Sequence, residues 1–393
     1  MTPTIAEQIE SLPASDLTPI VRNVLNDDTA KITGSWTADP IGAVHNDLRT
    51  EAILKVSGQA TTTRNAEPSD WHVILKVMRK GEARNSAAAH VRPETELALY
   101  RSRALDDRSS GLRPARCYGW VERDDDVIWL WLEDLSGAKQ PPWIPENHLA
   151  AARDAGRLNG SWPSGLDRSE DWFIRDVGVK RWDASLSTFE ILRARAEHPK
   201  VRAEFPPALM NRALALESTL KRLRIATDTL PRCFSHGDCH ARNLFPPDQS
   251  AGRTHTVAVD WAGAGTDVLG IDGGTLAGSS LTWGIHEAEQ TLRIEHELFE
   301  SYLSGLQEAG RNGERQIVRA GYMWALANYV RAFVMVGTSL AAEGLGEYQD
   351  RQDFVEGRFG RPYQEIPAAL AAVFEQCLPI IDEADALLDE LDA

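Results

Sequence analysis

Eight consecutive residues, His236-Gly237-Asp238-Cys239-His240-Ala241-Arg242-Asn243, hold two imidazoles, a carboxylate and a carboxamide. A second carboxylate, Asp260, ends the apolar run Thr254 to Asp260. An Asp with an Asn five positions later suits phosphoryl transfer. The Asp orients the acceptor hydroxyl and takes its proton, and the Asn gives a neutral oxygen to Mg²⁺. Asp260 offers an anionic oxygen, and one or two side-chain ligands completed by nucleotide phosphates are what Mg²⁺ prefers. His240 follows Asp238 closely enough either to touch a transferred phosphate or simply to hydrogen-bond within the loop, while His236 reads as a buttress of the loop. The residues also allow another chemistry. On an extended segment His236, Asp238 and His240 project to one face, which would suit a His/Asp/His metal triad of a hydrolase.

Phosphates also need a cation. Ala52-Ile53-Leu54-Lys55-Val56 and Val73-Ile74-Leu75-Lys76-Val77 are near copies, and either could present a lysine from a sheet. Lys76 is preferred, because it precedes a helical segment whose Glu96 can pair with it. Glu94 competes for that pairing, but Glu96 shares a helical face with Tyr100. Lys55 then falls on the preceding strand, in solvent. Leu130-Trp131-Leu132-Glu133-Asp134-Leu135 reads as a hinge that offers main-chain hydrogen bonds to adenine around Glu133 and Leu135. No G-x-G-x-x-G is present, so a phosphate-covering loop would rest on turn geometry between Gly42 and Asn46.

The elements that must position these groups divide the chain in two. Up to Leu135 the pattern is β-rich: Ile32–Trp36, Glu51–Val56, Trp71–Met78, Ala115–Glu122 and Val127–Leu132, with one helix over Pro93–Leu105. Ser136 to Pro142 reads as a linker. Beyond it helices dominate, over Pro145–Leu158, Pro206–Ala226, Glu289–Ala309, Arg315–Leu340 and Pro367–Leu391. Strand signals there flank the polar cluster, with a hairpin turn over Pro246–Arg253. The expected division is a nucleotide-binding lobe (1–135), a linker (136–145) and a catalytic lobe (146–393), an α+β bilobal layout. Trp162, Trp172 and Trp182, interleaved with Asp167, Glu170, Asp171, Asp176 and Asp183, either line an acceptor site or cover the core. Asp272 is expected to anchor the loop after Asp260.

Composition narrows the function classes. A net charge of −16 argues against nucleic acid, which needs clustered Lys and Arg. Four cysteines without a C-x-x-C pair suggest neither a zinc ribbon nor a disulfide framework, and fit a reducing cytoplasm. The most apolar window, Trp324 to Val336, is too short to span a bilayer and carries Asn328 and Arg331, so a buried helix is expected and no membrane partner. Met1 to Leu25 has no basic-then-apolar order of a secretory signal.

Together these residues resemble the aminoglycoside phosphotransferase and choline kinase-like family. The matching pieces are His236-Gly237-Asp238-x-His240-x-x-Asn243, Val259-Asp260-Trp261, Val73 to Val77, Glu96 to Tyr100, and Leu132-Glu133-Asp134-Leu135. The resemblance implies a protein-kinase-like fold, ATP and Mg²⁺ as cofactors, and a small-molecule hydroxyl as acceptor. It further implies Asp238 as base, Asn243 and Asp260 as metal ligands, and Lys76 on the α- and β-phosphates. A non-catalytic nucleotide-binding regulator of the same fold is the alternative, and the metal-dependent hydrolase a third.

Overall fold

The structure is a computed structural model that describes residues 4–41, 49–64, 67–81, 92–105, 111–123, 126–138, 143–162, 172–183, 188–248, 252–282, 288–346 and 352–391. Two compact units emerge, one from residues 1–103 and 114–138, the other from 104–113 and 139–393. The 104–113 segment, which the sequence reading leaves with the strands, thus belongs to the helical unit. There the Arg113 amide donates to the Thr256 carbonyl at 2.9 Å.

The first unit opens with two helices, α1 (Ile5–Glu10) and α2 (Ala14–Leu25), which the sequence analysis does not anticipate. Thr4 and Glu7 form a reciprocal capping box at the start of α1. An antiparallel sheet follows, built from β1 (Lys31–Pro40), β2 (Thr50–Thr61), β3 (Ser69–Arg79), β5 (Cys117–Glu122) and β6 (Val127–Leu132), in the order β1-β2-β3-β6-β5. The short β4 (Arg113–Pro114) lies outside it, and α3 (Pro93–Ser102) follows β3. Strand alternation decides which side chain meets which helix. Trp71, Val73, Leu75 and Val77 of β3 join Val127, Trp129 and Trp131 in a core with α1 and α2. The opposite face places Ile74 and Met78 with Ile128, Leu130, Leu132 and Leu97 of α3. That is why β6 is apolar at every position: both of its faces are covered. Lys76, in phase with Ile74 and Met78, therefore faces α3.

The second unit contains α4 (Pro145–Gly160), α5 (Val177–Asp183), α6 (Thr188–Arg195), α7 (Pro199–Glu204), α8 (Pro207–Ala226), α9 (Ile271–Thr282), α10 (Thr291–Glu308), α11 (Arg315–Glu343), α12 (Gln352–Phe359) and α13 (Ile366–Leu391). Its strands are β7 (Ile174–Arg175), β8 (Arg232–Ser235), β9 (Leu244–Phe245), β10 (Val257–Ala258) and β11 (Gly265–Val268). β7 and β11 carry too few residues for a periodic signal and are absent from the sequence reading. At 29 residues α11 is longer than the apolar window suggests, and by length and composition it could cross a membrane. Most of its apolar stretch is instead buried in this unit, against α8, α9 and α13. A helix with neighbours on several sides is apolar all round for that reason.

Candidate active site

The polar cluster begins where β8 ends. β8 pairs antiparallel with β11, Ser235 opposite Gly265 and Cys233 opposite Asp267. At Gly237 the backbone turns into the left-handed region, φ 77°. A Cβ there would collide with the Gly263 carbonyl, so only glycine allows the approach. Asp272 in the first turn of α9 holds the segment. It accepts from Ser235 Oγ and the His236 amide, both at 2.9 Å, and from Asn159 Nδ2 at 2.8 Å. Asp272 thus anchors the loop before Asp238, not the loop after Asp260 expected from sequence.

His236 joins two backbones. Its Nε2 lies 3.0 Å from the Val259 carbonyl, which can only accept, so Nε2 carries the proton and Nδ1 accepts from the Asp238 amide at 3.2 Å. Burial pushes the imidazole pKa down, against the pull of Asp272, Asp238 and Asp260, and favours this neutral form. With both ring nitrogens engaged, His236 has no lone pair for a metal. Among the described residues no group of three or more His, Cys, Asp or Glu is arranged to hold one. Both findings weigh against the hydrolase triad.

Asp238 is held through both carboxylate oxygens. Arg181 Nη1 lies 2.8 Å from Oδ1, while Asn243 Nδ2 lies 3.2 Å and His240 Nε2 3.4 Å from Oδ2. Burial raises its pKa, but Arg181 and then His240 outweigh that and hold the carboxyl well below the usual range. Arg181, on α5, is absent from the sequence reading. Its only signal is the basic pair Lys180-Arg181 inside an acidic, aromatic stretch. The expected neighbours Asp167, Glu170 and Asp171 lie outside the described residues. Asp176 pairs with Arg232 at 2.8 Å, and Trp182 packs on Tyr329 with ring centroids 5.1 Å apart.

Asn243 closes a 3-10 turn, Ala241–Asn243. Its Nδ2 also bonds the Asp238 carbonyl at 3.1 Å, and Oδ1 accepts no hydrogen bond among the described residues. The β9–β10 hairpin pairs Leu244 with Ala258, and the Val259 amide donates to the Asn243 carbonyl at 2.9 Å. This register sets Asp260 one residue past the partner of Asn243. Asp260 itself is left-handed, φ 64°, a conformation costly for a residue with a Cβ. A neutral oxygen beside a carboxylate fits Mg²⁺ whose other ligands are phosphate oxygens and water.

In the first unit, Lys76 Nζ lies 2.6 Å from Glu96 Oε2, and both side chains are buried. Glu94 instead accepts from the Gly81 amide at 3.3 Å. Lys55 is partly exposed, as the sequence suggested, but it is also paired. It pairs with Asp134 at 2.8 Å and reaches Ser136 Oγ at 3.3 Å, because the end of β6 brings those groups over β2. The Glu133 amide is occupied by the Arg116 carbonyl (2.8 Å), and the Leu135 carbonyl by the Ala138 amide (2.8 Å). The Leu135 amide donates to nothing among the described residues. Gly42 and the loop to residue 48 lie outside the described residues.

No family model and no curated protein matches the sequence. Solved structures do. An aminoglycoside phosphotransferase from Alicyclobacillus acidocaldarius superposes with a TM-score of 0.51 at 13% identity, over 87% of this chain and 93% of that one. The chain has the protein-kinase-like fold of the aminoglycoside phosphotransferases. A spectinomycin phosphotransferase in complex with ADP and spectinomycin matches 93% of this phosphotransferase-fold chain and 99% of its own (14% identity, TM-score 0.48). The choline kinase of Cryptosporidium parvum matches 90% and 92% (12% identity, TM-score 0.46).

Proposed function

We propose that this chain is an ATP-dependent phosphotransferase that moves the γ-phosphoryl group to a hydroxyl of a small molecule. The reading is carried by one observation: the hairpin register that sets Asp260 beside an Asn243 already bonded to Asp238. Phosphoryl transfer requires an oriented nucleophile, neutralised phosphates and little covalent work. Asp238 receives the acceptor hydroxyl. Its depressed pKa suits a group that orients the nucleophile and takes the proton late, after negative charge has left the acceptor oxygen. Asn243 Oδ1 and the Asp260 carboxylate would hold Mg²⁺, which supplies charge neutralisation on the phosphates when bound. Lys76, fixed by Glu96, serves the phosphate oxygens, and the Leu135 amide with the Glu133 carbonyl serves the adenine edge. His240 stands beside Asp238 for the transferred group. The free thiols of Cys117, Cys233, Cys239 and Cys377 suit work in the reducing cytoplasm.

The test is ADP release from Mg²⁺-ATP by purified protein across a panel of sugars, amino sugars, aminoglycosides and amino alcohols. We expect one class to stimulate release, and Asp238→Asn to lower that turnover about 10²–10⁴-fold with nucleotide binding retained. Nucleotide binding without transfer to any of them would make the chain a nucleotide-binding regulator instead.

A further inference from the structure

Arg181 takes no step in phosphoryl transfer, yet it reaches the carboxylate on which that step depends. Its guanidinium lies 2.8 Å from Asp238 Oδ1, and its side chain is only 20% exposed. The helix that carries it is pinned at its start. The Asp176 amide donates to the Thr266 carbonyl at 2.7 Å, and the Gly178 amide donates to the buried Asp267 carboxylate. Both acceptors are on β11, whose other edge is β8, the strand that runs into Asp238. At the far end of α5, Trp182 packs on Tyr329 of α11. The chain thus makes a closed circuit from β8 through Asp238, Arg181, α5 and β11 back to β8.

We propose that Arg181 is a positioning residue: by holding Oδ1 from α5 while Asn243 holds Oδ2, it fixes the plane of the Asp238 carboxylate. A carboxylate tethered at one oxygen can rotate about its Cβ–Cγ bond. One tethered at both, by donors on separately anchored segments, cannot. The guanidinium suits this task because its planar fork is rigid and always charged. A pair with most of its surface covered is also screened less than a fully exposed ion pair. The catalytic consequence rests on the role proposed for Asp238, but the geometric claim does not.

The experiment compares wild type, Arg181→Gln, Arg181→Lys, Asp238→Asn and the Arg181→Gln/Asp238→Asn double variant. ADP release from Mg²⁺-ATP is measured with water as the acceptor. Crystal structures of wild type and Arg181→Gln are determined alongside. Arg181→Gln should lower kcat by about 10²-fold, the scale of a misplaced reacting group, with KM for ATP nearly unchanged. Arg181→Lys should recover part of the loss. The double variant should be no slower than Asp238→Asn alone, since Arg181 acts only through that carboxylate. In the Arg181→Gln crystal the Asp238 carboxylate should be rotated or split between orientations. An unmoved carboxylate, or losses that add in the double variant, would overturn the proposal. If wild type releases no more ADP than Asp238→Asn with water, that turnover does not pass through Asp238, the acceptor panel decides the proposed function, and the crystal comparison alone decides the place of Arg181.

Discussion

Lys76 and Glu96 show what one buried ion pair asks of its surroundings. Each is removed from water, so each is tolerable only with the other present. Glu96→Ala should therefore destabilise the protein by about 3–5 kcal/mol in denaturant titration, because it leaves an ammonium buried against Ile74, Met78 and Leu97. Replacing both partners, Lys76→Met with Glu96→Leu, should restore most of that stability. ATP affinity should still fall at least tenfold in the double variant, since the lysine proposed to meet the phosphates is gone. Recovery of stability and nucleotide affinity together would show that the pair is only structural. The pairing was legible in sequence, because a lysine on a central strand and a glutamate on the next helix have little other reason to sit among apolar residues. The Lys55–Asp134 pair was not legible, since its partner depends on where β6 releases the chain.

At the scale of elements, α5 and β11 work as a unit, and Asp267 is the joint between them. Burial raises its carboxyl from an ordinary 3.8 to about 7, against the opposing hydrogen bonds from the Val268 and Gly178 amides. The folded state therefore holds a proton that the unfolded chain has already released between these two values. Stability from this group is present below pH 4 and is lost as pH rises towards 7. Asp267→Asn cannot titrate. The difference in thermal midpoint between variant and wild type should thus move in the variant's favour from pH 5 to pH 8. A difference that stays flat across that range would show that Asp267 does not titrate there. Elements this short were hidden in the sequence: two residues of β7 and four of β11 form no period, and they find partners only across long gaps, β7 on β11 (Ile174 opposite Gly265) and β11 on β8 (Gly265 opposite Ser235).

For the whole molecule, the ligand set itself predicts how metal and nucleotide act on stability. Since no cluster of three or more ligating side chains occurs among the described residues, chelation alone should leave the thermal midpoint unchanged. Nucleotide with Mg²⁺ should raise it, by about 2.7 kcal/mol of stabilisation at a hundredfold excess over Kd, and nucleotide with chelator by much less. A midpoint lowered by chelator alone would instead point to a structural metal. The two compact units also explain the composition. The sheet is sandwiched between α1 and α2 on one face and α3 on the other, and α11 is wrapped by its neighbours, which uses apolar residues in runs rather than stripes.

What the amino-acid order settled alone was local. The Asp238–Asn243 spacing, the apolar strand around Lys76, the helix carrying Glu96 and the long helical stretches after Pro145 all follow from neighbours in sequence, where propensity and period act directly. Only the tertiary structure decided what is long-range: the Lys55–Asp134 pair, Asp272 on the loop before Asp238, both nitrogens of His236 engaged, and Arg181 on Asp238. Each depends on two segments meeting whose separation in sequence carries no signal, because burial, charge and hydrogen bonding are satisfied in space and not along the chain. The eight residues that first suggested chemistry were visible from the outset, and the packing around them determined which of them stand at the centre and which only hold it.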